Sequence, residues 1–206
     1  MKSRLLQFIS IIFLLVLSSN FYGCGYNTLV SMEEEVNSAW SQVENQYQRR
    51  ADLIPNLVKT VEGSADFEKS VLTEVTDARS KVGQTQINAD DLSDPEKFQK
   101  FQQSQDQLSS AISRLLMVVE NYPTVKSNEN FLQLQAQLEG TENRISVERR
   151  RFNEAVQAFN TKTRTFPTLI TAKIFGFKEK QYFKSKEGSN QAPEVEFDFD
   201  KKEDKK

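Results

Sequence analysis

Two arginines, one cysteine and a scatter of carboxylates are the residues of this chain with chemistry to offer. Arg50 lies in "NQYQRRADLIPNLVKTV" (residues 45–61), where apolar residues recur at helical spacing. Counting seven from Val43 reaches Arg50, so a guanidinium stands where the repeat asks for Leu or Val. Arg149 falls four after Ile145 and three before Phe152, and so faces an apolar stripe as well. Glu68, three before Val71, is placed by the same count on the buried side of its segment. A buried charge must be paired or left open to water. The preferred reading of this seam cluster, Arg50, Glu68 and Arg149, is a polar layer that fixes helix register, or long stems reaching solvent. The alternative is a groove near Arg50 and Arg149 that binds a small anionic ligand or a lipid headgroup.

Pro55 bears on that choice. Its ring removes the amide that would bond the Ala51 carbonyl, so a helix kink is expected near residues 51–55. The freed carbonyl would lie close to the arginines and could accept one of their hydrogen bonds. Asp52, Glu62, Asp66 and Glu68 lack the spacing of a carboxylate metal site. The run "RRR" at 149–151 imitates a nucleic-acid patch, but consecutive helical residues point about 100° apart and cannot share one face. With Glu148 and Glu154 alongside, it reads as a solvated, ion-paired surface.

Two absences narrow the chemistry further. The 206 residues include no histidine, which removes His-based catalysis, the usual triads and most transition-metal sites. A single cysteine excludes an intrachain disulfide and a Cys-rich metal site. No catalytic residue, metal or cofactor is predicted. The net charge of −2 gives no electrostatic case for a nucleic-acid partner.

That cysteine, Cys24, closes a signal-like segment. Lys2 and Arg4 precede an apolar run from Leu5 to Leu17, small and polar residues come after it, and no charge occurs again until Glu33. Two readings stand. In a lipoprotein signal the chain is cut before Cys24, which carries the lipid. Gly23 fits that reading, whereas Phe21 and Tyr22 depart from the usual residues before such a cysteine. In an uncleaved signal anchor the same span is long enough to cross a bilayer. Either way residues 1–24 attach the chain to a membrane. Basic residues before the run and Glu33, Glu34 and Glu35 after it place the body outside the cytoplasm.

The elements that must position these residues are helices. Seven Gly and five Pro are few, and most lie outside the periodic stretches. From Leu29 one seam row reads Leu29, Val36, Val43, Leu57 and the other Trp40, Tyr47, Ile54, Val61, ending at Gly63 with Ser64 placed to cap the next helix. A second helix over about 65–83 buries Phe67, Val71, Val75, Ala78 and Val82. After a loop at 83–96, Asp94 and Pro95 start a third, over about 95–121, with Phe101, Leu108, Ile112, Leu115 and Val119. A fourth over about 128–165 carries Phe131, Leu138, Ile145, Phe152 and Phe159 before Pro167. These segments predict an all-α, up-and-down antiparallel four-helix bundle over 25–183, and the rows leave room for oligomers.

The segment 166–183 is too apolar to be a bare linker. "TLITAKIF" fits two helical turns before Gly176, with Leu169, Ile170 and Lys173 on a side that could cover the bundle end; the alternative is that this apolar and aromatic segment, lying beside lysines, is exposed to a partner or a membrane surface. The tail, 184–206, reads as charged and mostly disordered, with "EVEFDFD" near 195–199 as a candidate docking strand.

Three stretches together resemble the LemA family of bacterial membrane proteins. They are "YNTLVSMEEEVNSAWSQVENQYQRRADLIPNLVKTVEG", "FEKSVLTEVTDARSKV" and "RISVERRRFNEAVQAFNTKTRTFPTLITAKIFGFKEKQYF". The resemblance covers about residues 26–183. It implies a mainly helical up-and-down bundle behind an N-terminal membrane segment and no established enzyme activity. One branch of that family is associated with magnetosome formation, a role that nothing in these residues indicates. Cys24 departs from the plain membrane anchor of many members. The expected role is a membrane-tethered scaffold or interaction protein of the cell envelope, its protein partners unspecified.

Overall fold

The computed structural model describes the backbone of residues 2–63 and 67–184, and the side chains of these from Gly25 onward. Cys24, Ser64, Asp66 and the tail beyond Lys184 lie outside the described side chains, and so do the expectations placed on them. Among the described residues the chain is all-helical, with no strand. Its helices are α1 (Lys2–Glu62), α2 (Lys69–Gln84), α3 (Pro95–Val119), the single turn α4 (Pro123–Lys126), α5 (Glu129–Arg164) and α6 (Thr168–Phe175). Among the described side chains, no helix is long and apolar enough to cross a membrane; the apolar run at 5–17 is not among them.

Local chemistry sets the ends of these helices. The Asp94 carboxylate accepts from the Glu96 and Lys97 amides at 3.0 and 3.1 Å, and Pro95 fills the first position of α3, where no amide is needed. The Asn128 side chain caps α5 in the same way, accepting from the Asn130 amide at 2.9 Å. Gly176 closes α6 with φ +77°, a left-handed conformation that costs glycine nothing. Pro55 does not end α1. The Ala51 carbonyl that it deprives of a partner accepts instead from Arg79 Nε of α2 at 3.0 Å.

Contacts between helices give their directions. Trp40 of α1 meets Phe152 of α5, and Arg50 meets Glu142, so these two helices run antiparallel. Thr85 bonds Ser104, and Glu74 pairs with Arg114, which makes α2 and α3 antiparallel too. The heptad rows face inward as their spacing predicts: Leu29, Val36, Trp40, Val43, Tyr47, Ile54, Leu57 and Val61 are all buried. So are Phe131, Leu138, Ile145, Phe152 and Phe159.

The core is not continuous. One cluster is mostly aliphatic and contains Ile54, Leu57, Leu108, Ile112 and Leu138. The other is rich in aromatics and contains Trp40, Tyr47, Phe101, Ile145 and Phe152. On α1, α3 and α5 the break between them falls at polar residues: Arg50, then Ser104 and Gln105, then Thr141 and Glu142, of which all but Glu142 are buried.

Helix α6 does not cover the bundle end with Ile170 and Lys173, which are exposed; it takes the alternative, outward orientation. Thr168, Thr171 and Ala172 face inward, whereas Ile170 and Ile174 are exposed. The reason is close approach. A Cβ on Gly25 of α1 would stand 3.3 Å from Thr171 Oγ1, so only small side chains fit between the two helices.

The chain then runs extended over residues 177–184 as a strap along α3 and α5. Asn160 donates to the Lys180 carbonyl and accepts from the Lys180 amide, both at 2.9 Å. Asn153 does the same for Phe183, at 3.0 and 2.9 Å. Seven helical residues rise about 10.5 Å, and three extended residues span about 10 Å, so the two clamps match the strap's repeat. Phe183 is thereby seated among Trp40, Phe98 and Phe152.

Each clamp satisfies two backbone groups, and removing it leaves both without that partner. Asn160→Ala is expected to cost about 1–3 kcal/mol in chemical denaturation and to speed hydrogen exchange at the Lys180 amide. Asn153→Ala should do the same at Phe183. Unchanged exchange in both variants would mean that the asparagine clamps do not hold the strap.

Candidate functional site

The polar layer between the two apolar clusters is where charge has been brought deepest inside. Arg50 is only 1% exposed. Its Nη1 donates to Ser109 Oγ at 2.6 Å and to Glu142 Oε1 at 2.5 Å. Nη2 donates to Gln105 Oε1 at 2.5 Å and to the Gln105 carbonyl at 3.3 Å. Only Nε lacks a hydrogen-bond partner, and the guanidinium lies 5.2 Å from the centre of the Tyr47 ring. A buried cation is thus held by one carboxylate, one hydroxyl and one carboxamide from two other helices.

The second arginine is bound differently. Arg149 Nη1 stands 3.6 Å from Asp106 Oδ1, an ion pair looser than a hydrogen bond. Its guanidinium lies over the Phe183 ring at 4.4 Å, within cation–π range. Glu68 joins neither arginine: it is exposed, at the start of α2, and its side chain caps nothing. The freed Ala51 carbonyl serves Arg79 rather than Arg50 or Arg149.

Glu142 and Gln105 were within reach of sequence reasoning. Glu142 lies four after Leu138 and three before Ile145, and Gln105 has that relation to Phe101 and Leu108. The count that singles out Arg149 singles out these two as well. Ser109, Asn153 and Asn160 carry no such signal, because a small polar residue on a helix surface is ordinary.

Tyr47 completes the layer. Its hydroxyl is buried without a hydrogen-bond partner, and burial pushes its pKa up to about 12, against the pull of Arg149 and Arg50. Asp106 and Glu142 add smaller upward pushes.

A second buried cation tethers the strap. Lys180 is 8% exposed, pairs with Glu33 at 2.8 Å and lies 5.9 Å from the Phe159 ring centre. Beside the layer, a groove of about 460 Å³ is lined by Glu142, Arg149, Arg150, Glu154 and Lys184. A larger one, about 1040 Å³, runs between α2, α3 and the strap past Glu74, Asp77, Lys81 and Asp106. Both mix signs, so neither is a purely basic groove, and Arg149 Nη2 is buried without a hydrogen-bond partner. What the arrangement does is hold: it neutralises Arg50 and locks three helices to one another.

The family model for the LemA family matches residues 39–197. Two proteins of Paramagnetospirillum magneticum named magnetosome protein MamQ 1 and MamQ 2 are each 29% identical over 177 residues, covering 78% of this chain and 65% of their own length. Protein LemA of Metamycoplasma hominis is 25% identical over 146 residues, covering 71% of this chain and 63% of its own. The chain thus spans just under two-thirds of the curated relatives it matches.

The layer yields two expectations. Glu142→Ala leaves Arg50 without its carboxylate and should cost about 1–3 kcal/mol, since Glu142 is partly exposed and Ser109 and Gln105 remain, whereas Arg50→Met replaces charge with apolar volume and should cost less. Denaturant unfolding of both decides it; equal and negligible losses would remove the layer from the stability of the fold. For Tyr47 the sign is set by its raised pKa. Up to about pH 10 both folded and unfolded states hold the proton, and the residue makes no difference to pH dependence. From about pH 10 to the folded value the unfolded state alone releases it, so stability falls by up to about 1.4 kcal/mol per pH unit. Tyr47→Phe should leave neutral stability nearly unchanged and remove that part of the alkaline loss. A parent and variant with parallel alkaline profiles would contradict it.

Proposed function

This chain belongs to the LemA family, and from that premise we propose that it is a membrane-tethered helical scaffold of the bacterial cell envelope. The observation that carries the reading is α1, a single helix from Lys2 to Glu62. At about 1.5 Å per residue its 61 residues extend about 90 Å. The apolar run at 5–17 and the core rows from Leu29 to Val61 therefore lie on one unbroken helix, which couples whatever holds the first part to the second. Residues 1–24 act as the attachment, 25–183 form an up-and-down four-helix bundle, and 184–206 are the dispensable tail. The body lies outside the cytoplasm, as the basic start and the glutamates at 33–35 favour.

Arg50 supports a scaffold over a binding module. With its four η hydrogen-bond contacts directed at Ser109, Glu142 and Gln105, it has little left to offer an anionic ligand. The anionic-ligand reading is left with Arg149, already stacked on Phe183 and beside Asp106. No reaction is assigned to the scaffold.

Fractionation tests the tether. The full chain should stay with membranes through an alkaline carbonate wash, and a chain starting at Gly25 should be soluble and helical. Mass spectrometry of the N-terminal peptide then separates the anchors: a lipidated N-terminal Cys24 marks a lipoprotein, an intact peptide through Cys24 a signal anchor. Release of the full chain by the wash would overturn the proposal.

A further inference from the structure

Helix α6 presents to solvent the residues that a short packed helix normally hides. Ile174 is 66% exposed, Phe175 58%, Ile170 43% and, just before the helix, Phe166 75%. Ile170 and Ile174, four apart on α6, form one exposed stripe, with Phe166 exposed in the turn just before the helix, while the inward side is Thr168, Thr171 and Ala172. An amphipathic helix with its larger apolar face turned outward needs another apolar phase against that face.

Position names the phase. Thr171 of α6 packs beside Gly25 of α1. From Gly25 back to Leu17, the end of the apolar run, is eight residues, or about 12 Å along the helix axis. The exposed stripe therefore sits at the foot of the membrane-attaching segment. Tyr26 extends it, its ring 4.7 Å from Phe175 and 5.9 Å from Phe177, so an aromatic group gathers at the depth where aromatic side chains favour the membrane–water boundary. Around it Arg164, Lys173 and Lys178 are exposed. Glu179 is the acidic neighbour and stands 3.8 Å from Arg164. Apolar and aromatic residues ringed by basic side chains suit the boundary of a bilayer with anionic headgroups.

We propose that α6, with Phe166 and Tyr26, is a second membrane contact: its Ile170–Ile174–Phe175 face lies in the headgroup region of an anionic lipid surface and props the bundle upright on its tether. The proposal rests on membrane attachment through residues 1–24, and its test separates the two. The full chain is reconstituted into phosphatidylcholine–phosphatidylglycerol vesicles with brominated acyl chains, which quench nearby tryptophan. Native Trp40 is buried and supplies the background. Ile174→Trp and Phe166→Trp replace exposed residues, so neither disturbs the core; Met117→Trp, 71% exposed and near Val119 at the far end of the bundle, is the control.

With the chain floating with the vesicles, Ile174→Trp and Phe166→Trp should each lose about half of the emission they add over the parent, and Met117→Trp none. Vesicles of phosphatidylcholine alone should weaken the effect. If the chain floats and neither α6 reporter is quenched, the attachment stands and the α6 contact falls, leaving the stripe to a protein or a second copy. If the full chain does not float, both fall.

Discussion

A guanidinium in a helical interior has to be answered by groups brought to it from elsewhere, and here one buried residue sets that demand for three helices. The cost of taking the Arg50 guanidinium out of water must be offset by fixed partners. Those partners, Ser109 and Gln105 on α3 and Glu142 on α5, are single residues in otherwise apolar rows. Sliding α5 by one heptad would put Arg149 opposite Arg50 or remove the carboxylate altogether. An all-apolar seam tolerates such a slip at modest cost, since one Leu or Phe replaces another. The polar layer makes the slip expensive and so specifies a single register.

Once register is fixed, the core divides into unlike halves. The aliphatic half lies between the layer and the α1–α2 turn, the aromatic half between the layer and α6. Aromatic rings leave edges and gaps that short helices do not fill, and Phe183 of the strap enters that space among Trp40, Phe98 and Phe152. Among the described residues the strap has no strand neighbour to pair with its backbone. Asn153 and Asn160 stand in for one, because a carboxamide offers the same donor and acceptor as a peptide group. Arg149 then closes the strap over the layer by stacking on Phe183, which ties the strap's end to the same charges that fix the helices.

The N-terminal part of α1 and the helices packed on it are likewise continuous, because α1 passes Gly25 without interruption. Small residues where α6 meets α1 let the two approach closely, and that closeness is what turns Ile170 and Ile174 outward. The exposed stripe is thus a consequence of packing against α1, not of a deficit of apolar residues in the core.

By itself the sequence determined the helices and their inward faces. A heptad repeat is a local property, readable from spacing, and the rows through Trp40, Leu57, Leu138 and Phe159 are buried as counted. Cap residues at Asp94 and Gly176 were legible for the same reason, since each acts within a few residues of itself. The same count placed Arg50 inside, but could not say what answers it: Glu142 is 92 residues away, and only the antiparallel docking of α1 and α5 brings the two to 2.5 Å. Glu68 shows the limit from the other side: it is the extended residue just before α2, so a helical count from Val71 does not place it, and it faces water. The freed Ala51 carbonyl's partner, the outward face of α6 and the Asn-clamped strap were decided by tertiary structure alone. Each depends on which surfaces meet, and a periodic pattern specifies a face without specifying its neighbour.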